Sequence, residues 1–374
     1  MAELTSTFHE SITTVNRNQW NNLVEQSDLG CAFHRYEWLL AVEAGLGYTP
    51  AHVVVRKDGN PIGLFPNFVT ELDIPYEHLL SLLPTEQLPM GLSSNLEELS
   101  FQNVPLKQLI STSPGFGGPV IGSNESGCLD HMFQQISENC GRSVISHGIK
   151  AKELGYMRYG KTLAKRGYSP TLLDCRFELN LDYDFDELVA RMDSGRRKAL
   201  RDARNSGYEV SELDFENVVS STYDRYVTDM ERVSGSTHSR AFFEELADRF
   251  ADRLNVFSVE VDGTEAGRYV HVLDTEQSTL HYFYSAIGDE SNYEYNPSEL
   301  LHAYAIEWGQ ENGYRYYDFG SSGSSFFDGT FRYKQRYGAR VIPTLRWMKG
   351  YAPLLWTGYK LGRRAYQQLA YGDQ

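Results

Sequence analysis

The chain has 374 residues, 41% hydrophobic and 13% aromatic, which is too apolar for a disordered polypeptide and longer than a usual single core, so two domains are expected. Its net charge is −15, from 35 basic and 50 acidic side chains, and that balance lacks the basic footprint that DNA binding needs. Cys31, Cys128, Cys140 and Cys175 are widely spaced, which excludes a disulfide framework and any zinc-type cysteine pair.

Residues 8–15 alternate enough for a strand, and Asn16 or Asn18 can cap a helix through Trp20, Leu23 and Val24. A second helix is expected over 36–45. Strands over 51–56 and 61–69 flank Lys57-Asp58-Gly59-Asn60, a strong hairpin signal. The same order returns 204 positions later: His34, Trp38, Asp58, Gly59 and Gly63 match His238, Phe242, Asp262, Gly263 and Gly267. A constant offset across that span favours an internal duplication.

Residues 72–120 are punctuated by Pro and Gly, and 113–119 are too broken for a helix, reading either as a substrate-facing loop or as a connector. A helix over 129–139 and strands over 144–149 and 172–181 follow. Residues 184–206 read as one long helix closed by Gly207. From Arg191 it carries six cations against two acids, and Arg197, Arg201 and Arg204 share one face. That face reads either as an anion clamp with bidentate geometry or as a solvated surface. Strand 208–213, helices within 215–233 and 239–252, and strands 256–261, 266–273 and 279–287 come next. A helix over 298–309, strands over 314–320 and 340–348, and an amphipathic helix over 353–369 complete a mixed α/β (α+β) pattern.

Chemistry concentrates in residues 314–338, where an aromatic strand ends in Asp318-Phe319-Gly320, opens into a Gly/Ser loop, and resumes with aromatics and cations. Strand ends of this kind present functional groups. Asp318 can act as a base or orient an amine, or simply cap its own turn. Only ten of the 35 basic residues are lysines, and Lys334 is the sole one between Lys198 and Lys349. It can pair a donor phosphate or an oxyanion, or lie solvated on an edge strand. Ser321, Ser322 and Arg332 in this stretch, with His281 and Tyr284 on one preceding strand, are further substrate-binding candidates. A lone strand histidine is more often a satisfied core residue. No metal-ligand cluster or Ser-His-Asp order is present.

The helix over 298–309, Gly313, the Asp318-Phe319-Gly320-Ser321 strand end, and Phe331-x-x-Lys334 before Tyr337-Gly338-Ala339 together resemble the closing motif of Fem-type acyltransferases, tandem proteins of the GNAT (N-acetyltransferase-like) superfamily. The basic helix and Gly207-x-x-Val210 extend the resemblance upstream. It implies two tandem GNAT-like domains, each a mixed, mostly antiparallel sheet flanked by helices, expected over 1–165 and 166–350, with a C-terminal helix in 351–374. It also implies transfer of an acyl or aminoacyl group to an amine of a cell-envelope, glycan or lipid-linked precursor in the cleft between the copies. Aminoacyl-tRNA is the family's donor. Acyl-CoA is the usual GNAT donor, but residues 288–297, where its pyrophosphate loop would lie, hold Asp289, Glu290 and Glu294 and one glycine. No cofactor is fixed by these residues, and a non-catalytic protein binding a peptide, sugar or lipid head group is the alternative.

MAELTSTFHE carries no basic-then-apolar signal, and no run of about 18 apolar residues occurs, so a cytoplasmic protein is expected. The excess of Arg over Lys in an acidic chain is compatible with a salt-adapted cytoplasm. From Arg346 onward five cations face one acid, so residues 352–369 can either dock on the second domain or touch the inner face of an anionic membrane.

Overall fold

The computed structural model describes residues 4–72, 106–141, 143–205, 207–233, 235–352, 356–357 and 359–360. β1 (Leu4–His9) is followed by a 3-10 turn at Ile12–Thr14, where the Ser11 side chain accepts the Thr13 N–H. The strand expected over 8–15 is therefore earlier, because this serine turns the chain. Asn16 caps α1 (Arg17–Gln26) through the Gln19 N–H, and α2 (Tyr36–Leu46) ends on Gly47 at φ +65°. After β2 (Thr49–Pro50), strands β3 (His52–Lys57) and β4 (Asn60–Phe65) close the Asp58-Gly59 hairpin. β5 (Phe68–Glu71), β6 (Lys107–Ile110), β7 (Val120–Ile121), α3 (Glu125–Asn139) and β8 (Val144–Ile149) follow, then helices α4 (Glu153–Arg158) and α5 (Gly160–Lys165).

The second half begins with β9 (Ser169–Asn180) and two helices, α6 (Phe185–Arg191) and α7 (Ser194–Arg204), where one was expected. The break falls at Met192, which is extended at ψ 152°, and Asp193, whose carboxylate accepts the Gly195 N–H at 2.8 Å. Aspartate is a better cap than an interior helix residue, and here it starts a new helix. Next come β10 (Tyr208–Leu213), α8 (Phe215–Arg232), α9 (Arg240–Phe250), β11 (Leu254–Val261), β12 (Thr264–Asp274), β13 (Thr279–Ala286), α10 (Pro297–Glu311), β14 (Tyr316–Ser322), α11 (Gly329–Gln335) and β15 (Arg340–Gly350). Among the described residues the strands form one sheet ordered β1-β3-β4-β7 and an eleven-stranded sheet ordered β10-β11-β12-β13-β14-β9-β15-β8-β6-β5-β2. β15 pairs with both β9 and β8, so the large sheet runs through both halves, and position 165 is the last residue of α5, ahead of β9.

The duplication is visible strand by strand. Leu4↔Lys57 in the β1·β3 pair becomes Tyr208↔Val261 in β10·β11, each number 204 higher. Val55↔Gly63, with a bulge just after it, becomes Val259↔Gly267 with the same bulge. The turn residues Asp58 and Gly59 sit at φ 50° and 82°, Asp262 and Gly263 at 50° and 76°. α2 and α9 are equivalent helices at the same offset, and they pack on each other. Trp38 meets its counterpart Phe242 edge-on at 5.8 Å, and the Ser239 hydroxyl donates to the Gly45 carbonyl at 2.6 Å. One shared core joins them, holding Trp20, Phe33, Trp38, Phe242, Phe243 and Phe250.

Gly45 makes this approach possible, since a Cβ there would lie 2.4 Å from the Phe242 Cα. On helix propensity alone Gly45→Ala would stabilise by about 1 kcal/mol. The backbone clash reverses the sign, and an overall loss of about 1–3 kcal/mol is expected in denaturant titration.

No helix among the described residues is long and apolar enough to cross a membrane. The helix expected over 353–369 lies largely outside the described residues, and so does most of the broken stretch after Leu72.

Candidate active site

β13 and β14 run parallel and pair only at Thr279↔Tyr316, Leu280↔Tyr317 and His281↔Asp318. Gly320 then turns β14 away: it sits at φ +74°, and a Cβ there would come 3.0 Å from the Tyr282 carbonyl oxygen. The gap between the strands opens into a cavity of about 740 Å³, which also takes Phe33, Ser113–Phe116 and Lys150 from the first half. The other parallel pair, β6·β8, is sealed beyond its last ladder contacts. The Ser111 N–H reaches the Gly148 carbonyl at 3.0 Å, and the Gly117 N–H reaches that of Lys150 at 2.7 Å. One strand gap is thus filled by the chain's own backbone, and the other stands open.

A buried polar chain crosses the root of the open gap. One oxygen of Asp318 accepts from Arg176 at 2.9 Å and lies 3.0 Å from His281 Nδ1, while the other accepts the Gly320 N–H at 2.9 Å. His281 Nε2 faces Asp274 at 3.3 Å, and Asp274 in turn meets Lys152 at 3.5 Å and accepts the Ala32 N–H at 2.9 Å. Arg176 also donates to Glu178 and Glu153 at 3.0 Å. Burial alone would raise the Asp318 carboxyl, but Arg176 and His281 outweigh it and hold the group well below the usual carboxylate range. A carboxylate so stabilised is a weak base; it anchors rather than accepts protons.

Lys334 lies on α11, not on an edge strand, and is buried. Its ammonium donates to the Gly320 and Ser321 carbonyls at 3.2 and 2.6 Å, which leaves one of its three N–H donors beside the cavity. Burial pulls it down from the ordinary lysine value to about 8, with Asp318 opposing. It therefore tethers the turn that splays β14 and places a titratable cation there.

The expected pyrophosphate loop is built differently from an anion cradle. The Asp229 carboxylate, buried on α8, accepts the Ile287 N–H at 2.9 Å, the Gly288 N–H at 3.2 Å and the Ser285 hydroxyl at 2.6 Å. Asp289 takes the Ser291 N–H at 2.8 Å, and a 3-10 helix at Glu290–Tyr295 occupies the rest. An internal carboxylate thus already holds the amides that would meet a phosphate.

Among the ten candidates, Asp318, Lys334, Ser321, His281 and Tyr284 line this one cavity. The other five do not. Ser322 is buried on the β9 side, and Arg332 is exposed on α11. The break at Asp193 turns Arg197 back onto the Ala190 and Met192 carbonyls at 3.0 and 2.8 Å. Arg204 pairs with Glu307 at 2.8 Å, and Arg201 faces solvent. The basic helix reaches the site wall through Arg196 instead, bonded to Glu299 and stacked 4.7 Å over the Tyr333 ring. His271 is a core residue, fully buried and 3.1 Å from the Tyr317 hydroxyl.

Sequence reasoning missed Arg176, Asp274, Asp229 and Lys150. Arg176 and Glu178, two apart within an apolar strand run, were a signal of opposite charges on one buried face. Asp274 and Asp229 carried none, one reading as a turn residue and the other as a helix surface.

Residues 194–335 match the family model described as an acetyltransferase (GNAT) domain. No curated protein matches the sequence. FemX superposes with a TM-score of 0.66 at 13% identity, over 95% of this chain and 99% of that one. L-PGS from Bacillus licheniformis gives 0.54 at 11%, over 93% and 96%. A tandem GNAT protein from the clavulanic acid biosynthesis pathway gives 0.53 at 10%, over 93% and 98%. At these identities the likeness to solved structures speaks for fold alone, and the family model speaks for the second half. Residues 194–335 thus match a GNAT domain, and the chain has, along its length, the fold of FemX and of the tandem GNAT protein.

Proposed function

We propose that the protein is an N-acyltransferase that moves an acyl or aminoacyl group onto an amine of a cell-envelope, glycan or lipid-linked precursor, with the reaction in the gap between β13 and β14. The observation that carries this reading is the open strand gap with the Lys334 ammonium at its edge and the Asp318–His281–Asp274 chain at its root. The neutral amine attacks the acyl carbonyl carbon, forming the C–N bond and a tetrahedral oxyanion. The oxyanion collapses with loss of the donor's leaving group, and the amine's proton leaves through solvent or with that group. Lys334 supplies a cation for the oxyanion, and Asp318 with Arg176 keeps the strand end rigid beneath it.

Asp229 on the Ile287 and Gly288 amides favours a donor other than acyl-CoA, which points toward aminoacyl-tRNA. Calorimetry is expected to give no low-micromolar binding of acetyl-CoA; a low-micromolar dissociation constant would overturn that. The satisfied hydrogen bonds of Asp318 favour a second reading, a non-catalytic cavity for a peptide, sugar or lipid head group. Incubation with aminoacyl-tRNA or acyl-CoA and a panel of amines, followed by mass spectrometry, separates the two. A product of acyl mass supports transfer. A ligand that raises Tm without any product supports binding alone.

A further inference from the structure

The loop between β14 and α11 carries Phe326 and Phe327, which are 70% and 65% exposed and lie with ring centroids 4.1 Å apart. Single exposed apolar side chains are ordinary, but two adjacent phenylalanines held out in water are not. The turn beneath them is pinned. The Phe327 N–H donates to the Ser325 hydroxyl at 3.2 Å, the Asp328 N–H to the Ser325 carbonyl at 3.0 Å, and the Phe331 N–H to the Asp328 carboxylate at 2.8 Å. Beside it, β15 shows Val341 and Pro343 to solvent while Ile342 between them is buried. Val341 stands opposite Phe177, whose ring meets Phe331 of α11 at 5.0 Å, so this apolar strip and α11 share one face of the sheet.

The charge around the strip is opposite to that of the chain. Between positions 323 and 343 four cations stand against one acid, in a chain of net charge −15. Arg332 and Arg336, one turn apart on α11, are exposed, and neither has an ion-pair partner among the described residues. The nearby carboxylates are engaged: Asp328 caps α11, and Glu178 takes Arg176 and Arg340. The root of the loop is also a wall of the reaction cavity, which Ser321, Gly329 and Thr330 line.

We infer that this face docks on an anionic lipid surface, with Phe326 and Phe327 entering the boundary between headgroups and acyl chains and Arg332 and Arg336 lying against lipid phosphates. Apolar side chains rimmed by arginines bury area in the interface and match its negative charge. A second copy of the chain would bring like charges together. A nucleic acid would stack on the rings and leave Val341 and Pro343 unused. Docking sets one wall of the β13/β14 cavity beside the headgroups, within reach of a lipid-linked amine. That last step rests on the acyltransferase reading; the lipid contact does not.

Co-sedimentation of the full chain with vesicles of equal parts phosphatidylglycerol and phosphatidylcholine, and with phosphatidylcholine alone, tests the contact without any turnover. Binding is expected to the anionic vesicles only, and it should fall with salt. Replacing both rings, Phe326→Ser with Phe327→Ser, should weaken it by about tenfold or more. Arg332→Gln with Arg336→Gln should weaken it too and flatten its salt dependence. All four positions are exposed, so Tm should match wild type. The proposal is overturned if wild type ignores the anionic vesicles, or if either double variant binds them as wild type does. Binding of uncharged tRNA that is lost in these variants while vesicle binding persists would also overturn it and assign the face to nucleic acid. Vesicle binding as expected with no acyl product from any donor would leave the lipid contact standing and remove the acyltransferase reading. Acyl transfer to a soluble amine without vesicle binding would do the reverse.

Discussion

Lys334→Ala is expected to lower kcat/KM by a factor of about 100, the usual loss when one donor to a developing oxyanion is removed. The pH profile makes the assignment specific. With its ammonium pulled down to about 8, wild-type Lys334 carries its charge below that pH and loses it above. A cation on the oxyanion therefore gives a rate that falls as pH rises through about 8, whereas a base would give a rising one. Lys334→Arg keeps the charge at every accessible pH, so the falling limb should vanish even if the absolute rate suffers from the larger head group. Steady-state kinetics across that range decide it. An unchanged rate in Lys334→Ala, or a falling limb that persists in Lys334→Arg, removes the role.

The two hairpins were legible because their turns are local chemistry. Asp58-Gly59 and Asp262-Gly263 need only their own left-handed conformations, and the offset between them carried the rest of the repeat. The strand end at Asp318, Lys334 beyond it, and His281 on the neighbouring strand were legible for a similar reason. Each sits where an α/β architecture exposes residues, and the structure gathers all three at one cavity. The arginine face was misplaced by a single local event. A helix break at Asp193 redirects Arg197 to cap the preceding helix and leaves Arg196 as the residue that reaches the wall. Asp229 and Arg176 were invisible for a different reason: their partners lie 58 and 142 residues away, so only the closed fold brings them together. Acidity of the 288–297 loop pointed away from a phosphate cradle, but the carboxylate that fills the amides comes from another helix.

Arg176→Met should be the most destabilising change at the site. Arg176 is 2% exposed and serves three carboxylates, of which Asp318 and Glu178 are themselves buried. Removing the cation strands those charges, and a loss of about 3–5 kcal/mol in denaturant titration is expected. Adding Asp318→Asn to Arg176→Met should recover part of it, since a neutral amide costs less to bury than an orphaned carboxylate. The acid limb gives an independent check. A carboxyl whose folded pKa is depressed contributes stability above its unfolded value, and that contribution disappears as pH falls through the folded value. The unfolded value for aspartate is about 3.9, so the wild type should lose stability progressively below about pH 4. In Arg176→Met that acid dependence should shrink, because the carboxyl no longer has the guanidinium that lowered it. A variant as stable as wild type at neutral pH, with the same acid limb, would show that Arg176 does not hold the strand end in place.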